Sequence, residues 1–215
     1  MKEKDLTALE GYPAQVEKWP AACLPHAPAT PGSVRNLRKG EEREVWACEF
    51  EVDGAETAAI LSIFKVGSFQ SVNTSLPPGP TARKCALAMI ELPALGIPAP
   101  CVLGHAVGTE AAAVVTERIV SVAWTPRVRI QAASVLARIH TLDEDALSEP
   151  LRELARISDP RETRTTGGGG PEAPVRTLVH GDYFSANLLP VEDGLCVIDW
   201  ETFGWGDPMC CLLYT

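Results

Sequence analysis

The chain has 215 residues, 46% of them apolar and 22% charged, with 19 Lys plus Arg against 28 Asp plus Glu and a formal charge of −9. That apolar share suits a chain able to bury a core, and the acidic balance argues against nucleic acid as a partner, because affinity for phosphate backbones comes from clustered Lys and Arg. No stretch approaches the roughly 20 apolar residues of a membrane span. The mixed start Met1-Lys2-Glu3-Lys4-Asp5 leads into no apolar targeting segment. Seven cysteines without a Cys-x-x-Cys pair indicate neither a zinc knuckle nor a disulfide framework. A cytoplasmic chain with reduced thiols is the expectation.

In chain order, the Pro- and Ala-rich residues 1–31 predict an N-terminal helix and a connecting arm. Alternation from Glu44 to Phe50 and an apolar run from Ala58 to Val66 predict two strands, and Asp53-Gly54 between them is a hairpin turn signal. Ala82, Cys85, Ala86, Met89 and Ile90 recur at helical spacing over residues 81–95, with Gly96 as the stop and Pro93 as an earlier one. Strands at Cys101 to His105 and Ala111 to Thr116 follow, which makes a small antiparallel sheet with one covering helix. Past Val120 the pattern becomes helical, with Ile130, Ala133, Val135, Leu136 and Ile139 as a stripe and a further helix over 147–157. The fold class is α+β, with a first lobe over 1–119 and a second over 120–215. Gly167 to Gly170 lacks the following Lys-Ser/Thr of a phosphate cradle and reads as a flexible connector.

Residues 175–207 hold most of the chemistry. An apolar strand enters His180-Gly181-Asp182, Asn187 follows after four residues, and two short apolar runs flank Glu192-Asp193-Gly194 before Asp199. A three-residue loop pairing 191 with 195 would set Asn187 directly opposite Asp199. Facing side chains lie about 5 Å apart, near enough for one hard cation to bridge an amide oxygen and a carboxylate. Each residue alone is more often a turn former or a buried, bonded histidine. Their coincidence in one hairpin favours a site.

His180-Gly181-Asp182-x4-Asn187, followed by Val197-Ile198-Asp199-Trp200-Glu201 and Gly204-Trp205-Gly206-Asp207-Pro208, resembles the aminoglycoside phosphotransferase and choline kinase family, relatives of the protein kinases. The resemblance implies a two-lobed kinase-like fold and an ATP- and Mg2+-dependent transfer of the γ-phosphoryl group to a hydroxyl of a small molecule. Asp182 would be the catalytic base, Asn187 and Asp199 the Mg2+ ligands, and His180 a brace. Lys65 would hold the α- and β-phosphates, and Glu117 and Ile119 would offer main-chain groups to the adenine edge. Gly32-Ser33-Val34-Arg35-Asn36 falls where the family has its nucleotide loop.

Two departures matter. The helix position where the family has a Glu paired to the strand lysine holds Lys84, leaving Glu91 or no residue as the partner of Lys65. The chain also stops 16 residues after Asp199, on an apolar run from Met209 to Tyr214, which reads as a shortened C-terminal lobe. The alternative function is accordingly a truncated, non-catalytic nucleotide-binding relative; a protein kinase proper or a metal-dependent hydrolase fits the motifs less well. Residues 120–215 hold 8 Arg and no Lys against 14 Asp plus Glu, a net of −6, while residues 1–119 hold 11 basic against 14 acidic, a net of −3. The more negative half would attract a cationic alcohol such as an aminoglycoside, although solubility alone also accounts for surface acidity; antibiotic resistance, salvage and biosynthesis all use this architecture.

Overall fold

The computed structural model describes residues 19–26, 33–40, 43–52, 55–65, 76–108, 110–157 and 176–208. The Asp53-Gly54 turn, the four-glycine run and the apolar residues from Met209 onward lie outside them. The chain divides into two compact units, and the stretch from Leu87 to Pro100 groups with the second although it precedes the last strands of the first.

The first unit is built on a five-stranded antiparallel sheet of β1 (Arg35–Lys39), β2 (Arg43–Val52), β3 (Ala55–Lys65), β4 (Val102–Val107) and β5 (Ala111–Glu117), in spatial order β1-β2-β3-β5-β4. The two-residue period decides its faces. Cys48 and Phe50 on β2, Ala59, Leu61 and Ile63 on β3, and Ala111, Ala113 and Val115 on β5 form one buried layer, closed by Trp19 and Cys23 of the short helix α1 (Trp19–Cys23). Ala111 to Val115 are all buried, so β5 is covered on both faces and reads as a continuous apolar run instead of an alternating one. Strand β1 has the sequence Arg-Asn-Leu-Arg-Lys and is exposed throughout, so it carries no apolar alternation to announce it. Arg35 and Asn36 therefore stand in a strand, not in the nucleotide loop that the sequence suggests for Gly32 to Asn36; Gly32 itself is outside the described residues.

Helix α2 (Pro78–Glu91) runs into a tighter turn over Leu92–Leu95, and Gly96 ends it in the left-handed conformation at φ 76. Pro93 has no N–H to donate, which is why the regular helix stops at Glu91, earlier than residue 95.

In the second unit, α3 (Pro126–His140) begins at a Thr125 cap whose hydroxyl accepts from the Val128 N–H, with Pro126 in the first turn. Its buried stripe is Val128, Ala132, Val135, Leu136 and Ile139. Ile130 and Ala133, expected on that stripe, face outward, Ile130 at 71% exposure. Helix α4 (Glu149–Ile157) buries Leu151 and Ala155 one turn apart. Two small antiparallel ladders complete the unit, β6 (Thr177–Val179) with β9 (Gly204–Gly206) and the hairpin of β7 (Leu188–Val191) and β8 (Gly194–Val197). Among the described residues no helix is long and apolar enough to cross a membrane.

Candidate active site

The loop from β6 to β7 is anchored by a histidine that cannot titrate in the ordinary range. His180 is wholly buried; its Nε2 lies 2.9 Å from the Ile198 carbonyl, and its Nδ1 receives the Asp182 N–H at 3.3 Å. A nitrogen that accepts cannot carry the proton, so Nε2–H donates to Ile198 and the ring is neutral. Burial pushes the imidazole down to about 4, against smaller opposing effects from the Ile198 bond, the Asp199 charge and the Asp182 bond. One side chain thus ties the residue before Asp199 to the backbone of Asp182. The Trp200 ring packs edge-on against it at 4.6 Å, and Tyr183 at 5.8 Å.

Gly181 is required at the bend. Its φ is +84, and a Cβ there would sit 2.7 Å from the Thr202 carbonyl oxygen and 2.8 Å from Thr202 Oγ1. The close approach is used, because Thr202 Oγ1 donates to the His180 carbonyl at 2.8 Å. On the other side Tyr183 donates its phenol to the Ala132 carbonyl at 2.6 Å, fastening the loop to α3.

Asn187 is buried, and its Nδ2 donates to both the carbonyl and Oδ2 of Asp182, each at 2.9 Å. Two acceptors at that point fix which end of the amide is nitrogen. Asn187 Oδ1 therefore points elsewhere and accepts no hydrogen bond among the described residues. Asp199 follows β8 with φ 69 and ψ 57, and no other described residue except glycine has a positive φ. A non-glycine residue there costs on the order of 1 kcal/mol, and such strain gathers at functional sites.

The hairpin register differs from the sequence expectation by one residue. Val191 pairs with Gly194, Pro190 with Leu195, Leu189 with Cys196 and Leu188 with Val197, so the loop is Glu192-Asp193 and not three residues. Asn187 consequently meets Ile198, whose N–H donates to the Asn187 carbonyl at 2.9 Å, and does not stand opposite Asp199. The expected face-to-face pair is replaced by a different construction: Asn187 is oriented by Asp182, while Asp199 leaves the ladder through its left-handed turn, where strand alternation no longer dictates side-chain direction.

The remaining expected residues lie at the sheet or just beyond it. Lys65 ends β3, and its ammonium is paired with Glu44 Oε1 at 2.6 Å. Glu91, the alternative partner, instead accepts from the backbone N–H and the hydroxyl of Ser148 ahead of α4. Lys84 is fully buried in α2. Glu117 closes β5; its N–H donates to the Cys101 carbonyl at 2.9 Å, while the Cys101 N–H turns to the Glu117 side chain at 2.8 Å. The Glu117 main-chain carbonyl is thereby not taken by Cys101, as it would be in a regular ladder pair. Neither main-chain group of Ile119 has a hydrogen bond among the described residues.

Sequence reasoning missed Glu44 as the partner of Lys65. The signal was present in the turn: with Asp53 and Gly54 as the loop, Glu44 falls opposite Ile63 and diagonal to Lys65.

Comparison with known proteins gives the same class. Residues 169–212 match the model of the phosphotransferase enzyme family. No curated protein matches. Among solved structures, a thermostable mutant of aminoglycoside phosphotransferase APH(4)-Ia in a ternary complex with AMP-PNP and hygromycin B shares 18% identity, with 83% of this chain and 69% of that one covered at a TM-score of 0.50. A putative fructosamine-3-kinase from Haemophilus somnus shares 16%, covering 83% and 68%, at 0.52. An amicoumacin kinase with AMP-PNP and Ca2+ shares 14%, covering 84% of this chain and 62% of that one, at 0.51. The fold is that of the kinase-like small-molecule phosphotransferases. The stretch that carries His180, Asp182, Asn187 and Asp199 is the one that matches the phosphotransferase enzyme family.

Proposed function

We propose that the protein is an ATP- and Mg2+-dependent phosphotransferase that moves the γ-phosphoryl group to a hydroxyl of a small molecule. The observation that carries this reading is the closed network in which His180 joins Ile198 to Asp182 while Asp182 orients Asn187. It positions a carboxylate, an amide oxygen and a second carboxylate within one short stretch of chain. Residues 1–119 would supply most of the nucleotide-binding groups and residues 120–215 the reacting ones.

The oxygen donors suit a hard divalent cation. Among the described residues no cluster of three or more His, Cys, Asp or Glu side chains could hold a metal alone. The ion would be held by Asn187 and Asp199 and completed by phosphate oxygens and water, the usual arrangement for Mg2+. Bound there, the ion would neutralise charge on the phosphates. Asp182 would accept the proton of the attacking hydroxyl, and the Asn187 amide, which donates to Asp182 Oδ2 and to its main-chain carbonyl, holds that carboxylate in one orientation for the task. Lys65 would meet the α- and β-phosphates, and the Glu117 carbonyl and Ile119 main-chain groups the adenine edge. His180, neutral and bonded at both nitrogens, braces the loop and takes no proton.

One similar structure holds hygromycin B, another is an amicoumacin kinase and a third a putative fructosamine-3-kinase, and the net charge of −6 beyond residue 119 favours an amine-bearing alcohol as the acceptor here. The test is a melting curve with and without Mg2+-ATP. Ligand at 100 times its Kd stabilises by about 2.7 kcal/mol. The shift should require both components and vanish in Asp199→Ala, and ADP release should follow across a panel of amino-alcohols and sugars. A folded sample that gains no stability from Mg2+-ATP would reject the reading.

A further inference from the structure

The start of β2 carries a charge that the reading above leaves unused. Glu44 is a carboxylate at 7% exposure with both oxygens engaged: Oε1 accepts from Lys65 at 2.6 Å and Oε2 from the Trp46 indole N–H at 3.0 Å. The ladder explains the meeting. Val52 pairs with Ala55 and Glu44 with Ile63, so Lys65, two residues beyond Ile63, is the diagonal neighbour of Glu44 on the same face. Trp46 opposes Leu61 on that face too, which brings its indole beside the carboxylate. Burial alone would push the carboxyl up, but the Lys65 and Trp46 bonds and the attraction of Lys65 and Lys39 outweigh it and hold the group below its ordinary value.

A lysine is a point charge on a flexible four-carbon stem, and its use as a phosphate ligand depends on something that fixes the ammonium. Trp46 holds one oxygen of the carboxylate and thereby aims the other. The carboxylate of α2 is not available for this, since Glu91 is spent on Ser148. We infer that Glu44, delivered by the neighbouring strand and clamped by Trp46, is the residue that positions Lys65 for the nucleotide phosphates. The inference rests on the phosphotransferase reading. Glu44 is a positioning residue and acts only through the ammonium.

Glu44→Gln keeps the shape and the Trp46 bond while removing the charge. In the full chain, calorimetry with adenosine and with Mg2+-AMP-PNP separates a phosphate effect from general damage. Adenosine affinity should stay within about 2-fold, and Mg2+-AMP-PNP should bind about 10-fold more weakly, the size seen when a partner that orients a metal ligand is removed. The kcat should fall by up to about 100-fold, as for a misplacement near 1 Å. Glu44→Asp should recover part of the loss. In a Lys65→Met background, Glu44→Gln should cost no further AMP-PNP affinity. Equal weakening of adenosine and AMP-PNP, or full additivity with Lys65→Met, would overturn the inference. If Glu44→Gln does not fold, Trp46→Phe frees only Oε2 and should give the same selective pattern at smaller size; unchanged AMP-PNP affinity there also counts against it. A wild-type chain that binds AMP-PNP while Glu44→Gln matches it refutes the positioning role alone. A wild-type chain that binds neither ligand removes the phosphotransferase reading and this inference with it.

Discussion

His180 makes acid sensitivity a direct readout of the site's architecture. Folded, its pKa is about 4; unfolded, it returns to about 6.5. The unfolded chain therefore binds more protons between these values, so stability is complete above 6.5 and is lost as pH falls toward 4. Integrating the linkage from pH 7 to pH 5 gives a loss of about 2 kcal/mol from this one side chain. Urea unfolding at a series of pH values, followed by the fluorescence of Trp200 beside the ring, would measure it. Other groups also titrate in this range, so the quantity of interest is the difference from His180→Gln, which keeps polar atoms but has no proton to exchange. The wild type should lose about 2 kcal/mol more than the variant over that interval. Parallel curves for the two proteins would mean that the histidine is not buried neutral, and the bracing of Asp182 through Nδ1 would have to be abandoned.

Gly181→Ala forces a Cβ to within 2.7 Å of the Thr202 carbonyl at a φ of +84, so the left-handed penalty of about 1–2 kcal/mol is joined by the weakening of the Thr202 bond to His180, and chemical denaturation should show a loss of about 2–4 kcal/mol. Tyr183→Phe deletes the bond to the Ala132 carbonyl and should cost about 1 kcal/mol in the same assay, with nucleotide affinity unaltered. Asp182→Asn should reduce turnover by at least about 100-fold while Mg2+-ATP binding persists, which coupled ADP release and calorimetry together would check. Cys23 and Cys48 are buried thiols pushed up to about 12 by that burial, whereas Cys101 is exposed, so maleimide at pH 8 followed by peptide mapping should find Cys101 modified and the other two intact.

Much of the fold is legible from periodicity. The long strands β2 and β3 and the run of α2 follow their two- and 3.6-residue patterns, and Pro93 and Gly96 mark where the helix tightens and stops. Three features resist. Strand β1 has only Leu37 among charged and polar neighbours, so nothing in its letters separates it from a loop until β2 supplies the hydrogen bonds. The α3 stripe holds at Val135, Leu136 and Ile139 but not at Ile130 and Ala133, which face outward, and the helix start is set by the Thr125 cap and Pro126. The β7–β8 register turned on one residue of loop length: Gly194 reads as part of a turn but belongs to the strand, where it pairs with Val191. At the site, the motif named Asp182, Asn187 and Asp199, whereas Thr202 emerges only from tertiary contact with His180, 22 residues away, and Glu44 only when the β2–β3 register is followed out to Lys65.

Leu87 to Pro100 has a role that its place in the chain conceals. Its Pro98 carbonyl receives the Val197 N–H, its Leu95 carbonyl lies beside Arg138, and Glu91 meets Ser148. The backbone thus visits the second unit, returns to the first for β4 and β5, and crosses again after Arg118. A gene cut at residue 119 would consequently express a half deprived of its own clasp, and no single uninterrupted fragment contains either unit alone. Interleaving of this kind means that the second unit is complete only when residues on both sides of β4 and β5 are present.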